Sequence, residues 1–213
     1  MRSLRNQNLK VLVIVDYKAG NLRSVQRAFG EVGAEAKISG DPDVIRRADR
    51  LVFPGVGAAG AAMKSLRETG IDESIKEVFQ SGKPILGICL GLQVSLDFSQ
   101  ENQTETLKLV TGEVNKFQFN QKGLKVPHMG WNSIRLMQSH PVLSEIEPDD
   151  EFYFVHSYYA VPEDDQSIFA LTAYEHEFAS VIGKENFIAT QFHPEKSGRV
   201  GLRLLNKFIG WSS

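Results

Sequence analysis

The fold is decided by the stretch Pro-Ile-Leu-Gly-Ile-Cys-Leu-Gly-Leu-Gln at residues 84–93. Its apolar beginning has the length of a buried strand, and residues 90–98 carry apolar side chains at helical spacing. Gly87 and Gly91 flank Cys89 where the predicted strand meets the predicted helix. A strand, a tight turn and a helix in this order form a nucleophile elbow, here with cysteine where serine is usual. The pattern predicts an α/β protein that raises Cys89 above the end of a strand.

The cysteine itself has two interpretations. A lone cysteine after an apolar strand is often only a small buried residue. At the N-terminus of a helix, however, the helix dipole favours the thiolate, which is the nucleophilic form of cysteine. The glycines on both sides of Cys89 favour the nucleophile, because they permit a turn too tight for side chains on either flank.

Upstream of this stretch, two hydrophobic periods alternate. Continuous apolar runs predict buried strands, and apolar side chains three and four residues apart predict helices. Asn21 stands where it can cap the first of these helices. The alternation predicts parallel strands with helices on both faces of the sheet. The predicted strands are residues 11–16, 35–39, 51–53 and 84–88, and the predicted helices are residues 21–32, 41–48, 59–67, 71–80 and 90–98.

Downstream, the pattern changes to strand-like segments separated by turn signals. No helical pattern interrupts them between residues 108 and 184, so we expect an antiparallel excursion there. A last core strand at 187–192 and a C-terminal helix at 201–209 follow. The fold class is therefore α/β: a mostly parallel, flavodoxin-like sheet flanked by helices, with antiparallel strands in the second half. The strand-like segments are residues 109–117, 125–136, 151–161, 168–174 and 178–183.

Composition narrows the classes of function. At 213 residues and 42% hydrophobic, the chain can build its own core, and we expect one domain over residues 1–213. A net charge of −2 offers no basic face for nucleic acid, and no apolar run approaches the roughly 18–20 residues of a membrane span. A single cysteine excludes an internal disulfide and a cysteine-rich metal site. Residues 1–10 lack the apolar centre of a secretory signal, so we expect an N-terminal extension on a cytoplasmic protein.

A thiolate nucleophile needs a general base, and the base needs a group that orients it. Of the five histidines, His193 stands out because Gln-Phe-His-Pro-Glu at 191–195 follows a predicted strand directly. Pro194 ends the strand and fixes a turn, which lets Glu195 fold back toward the imidazole. Alone, this loop is better explained by a satisfied turn with a surface ion pair. Together with Cys89, it predicts a base and its orienting carboxylate.

The segment Pro54-Gly55-Val56-Gly57 is the third element of this arrangement. It follows the strand next to the elbow, and its glycines allow backbone N–H groups to turn inward. Loss of one donor to a developing oxyanion costs about 2.7–4 kcal/mol in well-studied hydrolases. Most Pro-Gly-x-Gly segments are only turns, so this one has weight only beside the other two elements.

With the oxyanion segment, the cysteine elbow and His-x-Glu in this order, the sequence resembles the class I (triad) glutamine amidotransferases. Its details resemble the glutaminase subunits of imidazole glycerol phosphate synthases, and Pro-His-Met-Gly-Trp-Asn at 127–132 is especially specific to them. The resemblance implies a single glutamine amidotransferase type 1 domain. The blocks that carry the resemblance are residues 16–24, 54–57, 83–93, 126–132, 154–158 and 191–198.

The resemblance implies that the chain hydrolyses L-glutamine. Cys89 would attack the carboxamide carbon, His193 would protonate the leaving ammonia, and Glu195 would orient His193. Water would then clear the γ-glutamyl thioester. The oxyanion donors of the family correspond to the backbone amides of Val56 or Gly57 and of Leu90, and its glutamine-binding positions correspond to Gln93, Glu101, Ser157 and Tyr158. Scattered histidines and the lack of a phosphate-binding loop give no support for a metal or nucleotide cofactor.

The resemblance also implies a partner protein. Ammonia would pass to a (βα)8-barrel cyclase subunit in a heterodimer. The cyclase would combine it with a phosphoribulosyl formimino carboxamide ribonucleotide (PRFAR), giving imidazole glycerol phosphate for histidine synthesis and the aminoimidazole carboxamide nucleotide AICAR. Residues assigned to the partner face and its gating are Lys18, Asn21, Pro127, His128, Met129 and Trp131.

Three alternatives stay open. The family usually has glycine where Lys18 stands, which allows a paralogue that supplies ammonia to an amino-sugar synthase of surface-polysaccharide biosynthesis. A stand-alone γ-glutamyl peptidase would have no need for residues 127–132, which are equally explained by a core strand with a buried Trp131. A flavodoxin-like interaction domain with an inert cysteine would explain the sheet but not His193 and Glu195.

Overall fold

The computed structural model of the chain describes residues 11–18, 20–118 and 125–212. The predicted N-terminal extension at residues 1–10 lies outside these ranges. The α-helices are α1 (Leu22–Glu31), α2 (Pro42–Arg47), α3 (Ala59–Thr69), α4 (Ile71–Gln80), α5 (Leu90–Gln93) and α6 (Gly198–Gly210). The strands are β1 (Leu12–Val15), β2 (Ala36–Ser39), β3 (Arg50–Gly55), β4 (Ile85–Cys89), β5 (Phe98–Ser99), β6 (Thr104–Glu105), β7 (Gly112–Lys116), β8 (His128–Ser133), β9 (Arg135–Leu136), β10 (Glu151–His156), β11 (Tyr158–Pro162), β12 (Ile168–Ala173), β13 (Glu177–Lys184) and β14 (Phe187–Thr190).

Two sheets are built from these strands. The large sheet has the order β2-β1-β3-β4-β14-β13-β11-β7-β5-β6, and β12 and β9 extend it beside β13. Its first five strands are parallel to one another, and β14 is followed by antiparallel pairing with β13. Strands β8 and β10 form a separate antiparallel pair. The predicted fold class, a parallel α/β sheet with an antiparallel second half, is confirmed.

Helices cover both faces of the parallel strands. Val13 of β1 belongs to a core with Leu66 of α3, whereas the next residue, Ile14, belongs to the opposite core with Phe29 of α1 and Phe208 of α6. Successive side chains of a strand point to opposite faces, which explains the continuous apolar runs in the sequence. Each fully buried side chain of this size stabilises the fold by about 1.5–3 kcal/mol. None of the helices in the described part of the chain is long and apolar enough to cross a membrane.

The carboxyl ends of the parallel strands meet at one edge of the sheet. Cys89, the last residue of β4, is in register with Gly55, the last residue of β3. On the other side of β4, Ile88 is in register with Thr190, the last residue of β14. Ligand sites of open α/β sheets form at this edge. The three segments singled out in the sequence therefore leave the sheet side by side.

The helix predicted over residues 90–98 is wrong beyond Gln93. Helix α5 is little more than one turn, because a later segment takes the carbonyl groups that a longer helix would use. Leu107 donates its N–H to the Val94 carbonyl at 2.9 Å, and Lys108 donates to the Leu96 carbonyl at 2.9 Å. Helical spacing describes only local compatibility, and here a contact more than ten residues away in sequence overrides it.

The single strands predicted over residues 125–136 and 151–161 are each two strands. At Ser157 the chain leaves the β8–β10 pair and enters the large sheet, where β11 pairs with β7 and β13. The Ser157 carbonyl accepts the N–H of Phe117 at 3.0 Å, which secures this junction to the end of β7. The earlier segment is divided between β8, which pairs with β10, and β9, which pairs with β12.

Candidate active site

Cys89 occupies a sharp turn between β4 and α5. Its backbone has φ 54° and ψ −102°, a conformation that a side-chain-bearing residue rarely adopts. The turn brings the following backbone so close to β3 that a Cβ on Gly91 would lie 1.9 Å from the Phe53 carbonyl oxygen. Glycine is therefore required at 91. The cysteine is 7% exposed and lies at the sheet edge that the sequence predicts.

His193 and Glu195 form a buried pair on the loop after β14. The Nδ1 atom of His193 lies 2.8 Å from Oε1 of Glu195, and both side chains are almost fully buried. Because a carboxylate accepts hydrogen bonds, Nδ1 carries a proton and Nε2 is left for another partner. Nε2 has no hydrogen-bond partner among the described residues.

Charge decides the protonation of His193. Burial alone would lower its pKa, but the charge of Cys89 and the hydrogen bond and charge of Glu195 outweigh burial and raise its pKa to about 10. A buried imidazole between two anionic groups gains more from pairing than it loses in hydration. The arrangement therefore favours an imidazolium at His193.

Asn21 does not cap α1 with its side chain, so that sequence-based prediction is wrong. The residue stands before the helix with φ 75° and makes no side-chain cap. Its Nδ2 instead donates to Oε1 of Glu195 at 2.5 Å, across 174 residues of sequence. The same carboxylate oxygen thus accepts hydrogen bonds from both Asn21 and His193, so Asn21 is part of the candidate site.

A chain of buried amides reaches Cys89 from the side of β11. Gln191 donates from Nε2 to the Cys89 sulfur at 3.7 Å, and its Oε1 accepts from Gln93 at 3.0 Å. Gln93 also donates to the carbonyl of Tyr158 at 2.9 Å. Sequence reasoning gave Gln191 no role, although it lies two residues before His193 in a block that drew attention.

The oxyanion segment leaves β3 beside the elbow. Gly57 has φ 102°, a conformation that favours glycine, and Val56 is 38% exposed. Leu90, whose amide directly follows Cys89, is buried. The structure thus brings together the two backbone segments, 56–57 and 90, that the resemblance assigns to the oxyanion.

Tyr17 is a second residue that sequence reasoning missed. Its hydroxyl is buried without a hydrogen-bond partner in the described ranges, and burial and the charge of Cys89 raise its pKa. A Cβ on Gly55 would lie 2.0 Å from this hydroxyl. The Tyr17 hydroxyl therefore lies against the beginning of the oxyanion segment. In the sequence, the only sign of this role is a tyrosine shortly after a predicted buried strand.

The remaining residues predicted around glutamine lie near one another. Oε2 of Glu101 accepts the Ala59 N–H at 2.7 Å, so this carboxylate holds the first turn of α3 just after the oxyanion segment. Burial and the charge of Glu101 raise the pKa of Tyr158. Ser157 lies between β10 and β11, next to Tyr158. Glu101 and the 157–158 junction thus share one neighbourhood with Gln93.

His128 and His156 are not available as bases. Burial lowers the pKa of His128 to about 4 and that of His156 to about 3. The two rings are hydrogen-bonded to each other, and Nδ1 of His128 lies 2.9 Å from Nε2 of His156. The prediction that His128 lies on the partner face is wrong, because it is 3% exposed. It alternates along β8 with exposed neighbours and points inward.

The neighbours of His128 on β8 are exposed. Met129 is 62% and Trp131 is 54% exposed, which rules out the interpretation of Trp131 as a core residue. The Trp131 ring meets Tyr153 edge to face at 6.1 Å, and Lys196 lies over the Tyr153 ring at 5.8 Å from its centre. Lys18 is exposed with φ 68°, a conformation that explains why glycine is usual there, and Pro127 is half-buried. The described residues contain no group of three or more His, Cys, Asp or Glu suited to a metal ion.

Comparison with known proteins bears directly on this arrangement. The family model of glutamine amidotransferase class-I matches residues 13–210. The chain belongs to the class-I glutamine amidotransferases. The resemblance recognised in the motifs is thereby confirmed for the family, and the non-enzymatic interpretation is set aside.

Individual members of the class-I glutamine amidotransferases agree over nearly the full length. An imidazole glycerol phosphate synthase subunit HisH from Maridesulfovibrio salexigens is 47% identical over 203 residues, covering 93% of this chain and 95% of that protein. One from Nitratidesulfovibrio vulgaris is 49% identical over 205 residues, with the same coverage. A crystal structure of a glutamine amidotransferase superposes with a TM-score of 0.73 at 17% identity, over 94% of this chain and 100% of that one, which bears on the fold alone.

Proposed function

We propose that the chain is the glutaminase subunit of an imidazole glycerol phosphate synthase, acting in the cytoplasm in histidine biosynthesis. The observation that carries the proposal is the buried set of Cys89, His193 and Glu195 at the sheet edge, in a chain 47–49% identical to HisH subunits. The reaction is the hydrolysis of L-glutamine to glutamate and ammonia, and the chain needs no cofactor for it.

In the first half of the reaction, the Cys89 thiolate attacks the carboxamide carbon of glutamine. The sulfur forms a bond to that carbon, and the C–N bond breaks as the His193 imidazolium gives its Nε2 proton to the departing ammonia. This charge distribution fits the raised pKa of His193. In the second half, neutral His193 takes a proton from water, which attacks the thioester and returns the Cys89 thiolate. Throughout the reaction, the Glu195 carboxylate accepts a hydrogen bond from Nδ1 of His193 and stabilises each imidazolium.

The oxyanion of each tetrahedral intermediate lies between two backbone segments. The N–H of Leu90 supplies one donor, and the N–H of Val56 or Gly57 supplies the other. Because Gly57 has no Cβ, the neighbouring peptide is able to rotate, so the second donor can point away at rest. One absent donor lowers turnover by roughly 10²–10³, and a partner that favours the inward peptide restores it as a population shift. The isolated chain is therefore nearly silent.

Glutamine occupies the space bounded by Gln93, Glu101 and the Ser157–Tyr158 junction. Glu101 is the only one of these with a charge, and its free carboxylate oxygen suits the α-amino group of the substrate. Its other oxygen is committed to the Ala59 N–H. The carbonyl of Tyr158 is committed to Gln93, so the junction offers its remaining backbone and side-chain groups to the glutamine.

The exposed face of β8 docks a (βα)8-barrel cyclase subunit, which takes up the ammonia. Met129 and Trp131 form an apolar surface that the Tyr153 and Lys196 side chains adjoin. Aromatic and methionine side chains are enriched at interface centres. The face lies on the strand paired with β10, which leads directly to Ser157.

The test measures glutamate release by the chain alone, with the barrel partner, and with partner plus PRFAR or an analogue. We expect release to rise stepwise by at least a hundredfold overall. Met129→Ala should weaken the partner complex, and Met137→Ala, at an exposed methionine that follows β9, is the matched control. Trp131→Ala should release glutamate in excess of cyclase product. Equal rates in all three conditions would contradict the proposal and favour the stand-alone γ-glutamyl peptidase.

A second acceptor pathway is distinguished in the same assay. Lys18 stands with φ 68° where the family usually has glycine, which is the observation in favour of an amino-sugar paralogue. Stimulation by an amino-sugar synthase and its acceptor, without stimulation by the barrel cyclase, would establish that paralogue instead.

A further inference from the structure

The hydrogen bonds of His128 and His156 can be assigned a direction. Nδ1 of His156 lies 2.8 Å from the Tyr158 carbonyl, which only accepts, so Nδ1 carries the proton. Nε2 of the neutral ring then accepts, and the atom 2.9 Å away, Nδ1 of His128, is its donor. Both rings are therefore neutral Nδ1–H tautomers, and the two hydrogen bonds run in one direction.

Asn132 completes this chain at its outer end. Its Nδ2 donates to the Ala173 carbonyl at 2.9 Å, and its Oδ1 accepts the Ser133 N–H at 2.9 Å, which fixes the orientation of the amide. Nδ2 also lies 3.3 Å from Nε2 of His128, the acceptor nitrogen of that ring. The donors thus run from Asn132 to His128, to His156, and to the Tyr158 carbonyl.

The rings have little freedom to leave this arrangement. His128 is stacked between Phe154, with ring centres 4.8 Å apart, and Tyr174, with ring centres 4.0 Å apart. His156 packs against Phe117 and Phe178. Aromatic packing of this kind holds a ring plane in place, and the hydrogen bonds then fix its rotation within that plane. The pair behaves as one rigid unit.

The two ends of the unit lie at different parts of the molecule. At one end, His128 and Asn132 are on β8, alternating with Met129 and Trp131 of the exposed face. At the other end, the Tyr158 carbonyl also accepts a hydrogen bond from Gln93. Gln93 donates to Gln191 as well, and Gln191 donates to the Cys89 sulfur. Ser157 lies between the bonded residues His156 and Tyr158. A displacement of β8 therefore reaches the junction through side-chain hydrogen bonds as well as through the backbone.

We propose that His128 and His156 are positioning residues, which hold the Ser157–Tyr158 junction of the glutamine site in register with the strand that carries the partner face. The inference rests on the proposed function, because it takes the junction as part of the glutamine site. The pair touches neither substrate nor the reacting atoms. Its role is to set glutamine affinity and to make that affinity respond to docking on β8.

The kinetic test uses the full chain in complex with the barrel cyclase. His128→Phe keeps the ring stack but removes both hydrogen bonds, and we expect the KM for glutamine to rise on the order of fivefold while kcat stays within twofold. His128→Asn restores a donor near the position of Nδ1, and we expect KM within twofold of wild type. His140→Phe is the matched control: His140 is also a histidine of burial-lowered pKa packed on aromatic rings, but it lies outside this chain of hydrogen bonds.

Two results would overturn the inference. One is an unchanged KM in His128→Phe, and the other is an equal defect in His128→Asn, which would show that restoring the donor does not restore glutamine affinity. If the wild-type complex released no glutamate, the proposed function would fail instead. Should His128→Phe not fold, nitrogen NMR of the wild-type imidazoles decides the matter: we expect both rings neutral with the proton on Nδ1 at pH 7. A proton on Nε2 of His156 would refute the arrangement directly.

Discussion

Three histidines lie buried in two places of this domain, and only one of them is placed to carry a charge. His193 is bonded to a carboxylate and lies near a thiol, and its pKa is raised to about 10. His128 and His156 are bonded to each other, and their pKa values are lowered to about 4 and 3. All three rings are at most 5% exposed. All three histidines are buried, so the hydrogen-bond partner determines whether a histidine is charged or neutral.

The sharpest way to break this comparison is to remove one of the two side chains that raise the pKa of His193. Cys89→Ala should lower glutamine hydrolysis more than a thousandfold, because the only thiol of the chain is lost. The same replacement should lower the pKa of His193, which Cys89 raises, while the pKa values of His128 and His156 stay unchanged. NMR titration of the histidines checks both statements.

The cyclase complex provides the control for Cys89→Ala. Free ammonium should still support product formation there, since the proposed function assigns the acceptor chemistry to the other subunit. Glutamine turnover above a thousandth of wild type would remove Cys89 from the mechanism.

Glu195→Gln tests the other of these two side chains. We expect kcat to fall on the order of a hundredfold, less than for Cys89→Ala, because Glu195 orients and stabilises the imidazolium but does not react. The pKa of His193 should fall, since the Glu195 hydrogen bond and charge help to raise it. Steady-state kinetics with the activated complex measures the loss, and a loss equal to that of Cys89→Ala would show a larger role for Glu195.

The neutral pair, His128 and His156, should make the unfolding free energy depend on pH below neutrality. Its pKa values are lower folded than unfolded, so the stability it contributes is complete above about pH 6.5 and is lost as pH falls toward about 4. Each ring should account for on the order of 1–2 kcal/mol of unfolding free energy between pH 7 and pH 5. Denaturant unfolding of wild type and His128→Phe measures this, and we expect a shallower pH dependence in the variant. Identical slopes would mean that His128 is not neutral when folded.

Asn21→Ala should have the smallest effect. It removes one of two hydrogen bonds to Oε1 of Glu195 and leaves His193 in place. We expect kcat to fall about threefold to fivefold with KM unchanged, as for a single hydrogen bond. Gln26→Ala is the matched control, because this amide lies on α1, the helix that Asn21 precedes, and donates to the Ala36 carbonyl instead. An equal effect of the two replacements would assign it to helix α1 and not to the carboxylate.

Local sequence patterns were sufficient for the parallel half of the fold. Buried strands β1, β3 and β4 are continuous apolar runs, and parallel strands gather their carboxyl ends at one edge. That rule is why Cys89 and the oxyanion segment could be placed together from sequence. His193 followed because it comes directly after the strand that pairs with β4.

The parts that could not be predicted depend on partners distant in sequence. The end of α5 is set by residues 107–110, and the role of Asn21 is set by Glu195, 174 residues later. The division at Ser157 shows no break in the apolar pattern, because both halves are strands and only their sheet differs. The pairing of His128 with His156 follows from the β8–β10 register, which no local pattern encodes.

The separation of β8 and β10 from the large sheet has an evolutionary consequence. Hydrogen bonds of the β8 backbone go to β10, so substitutions on its exposed side do not disturb the register of the strands that set Cys89. Met129 and Trp131 can therefore change in evolution while the elbow keeps its geometry. The exposed side of β8 thus belongs to a sheet of its own, separate from the strands that position Cys89.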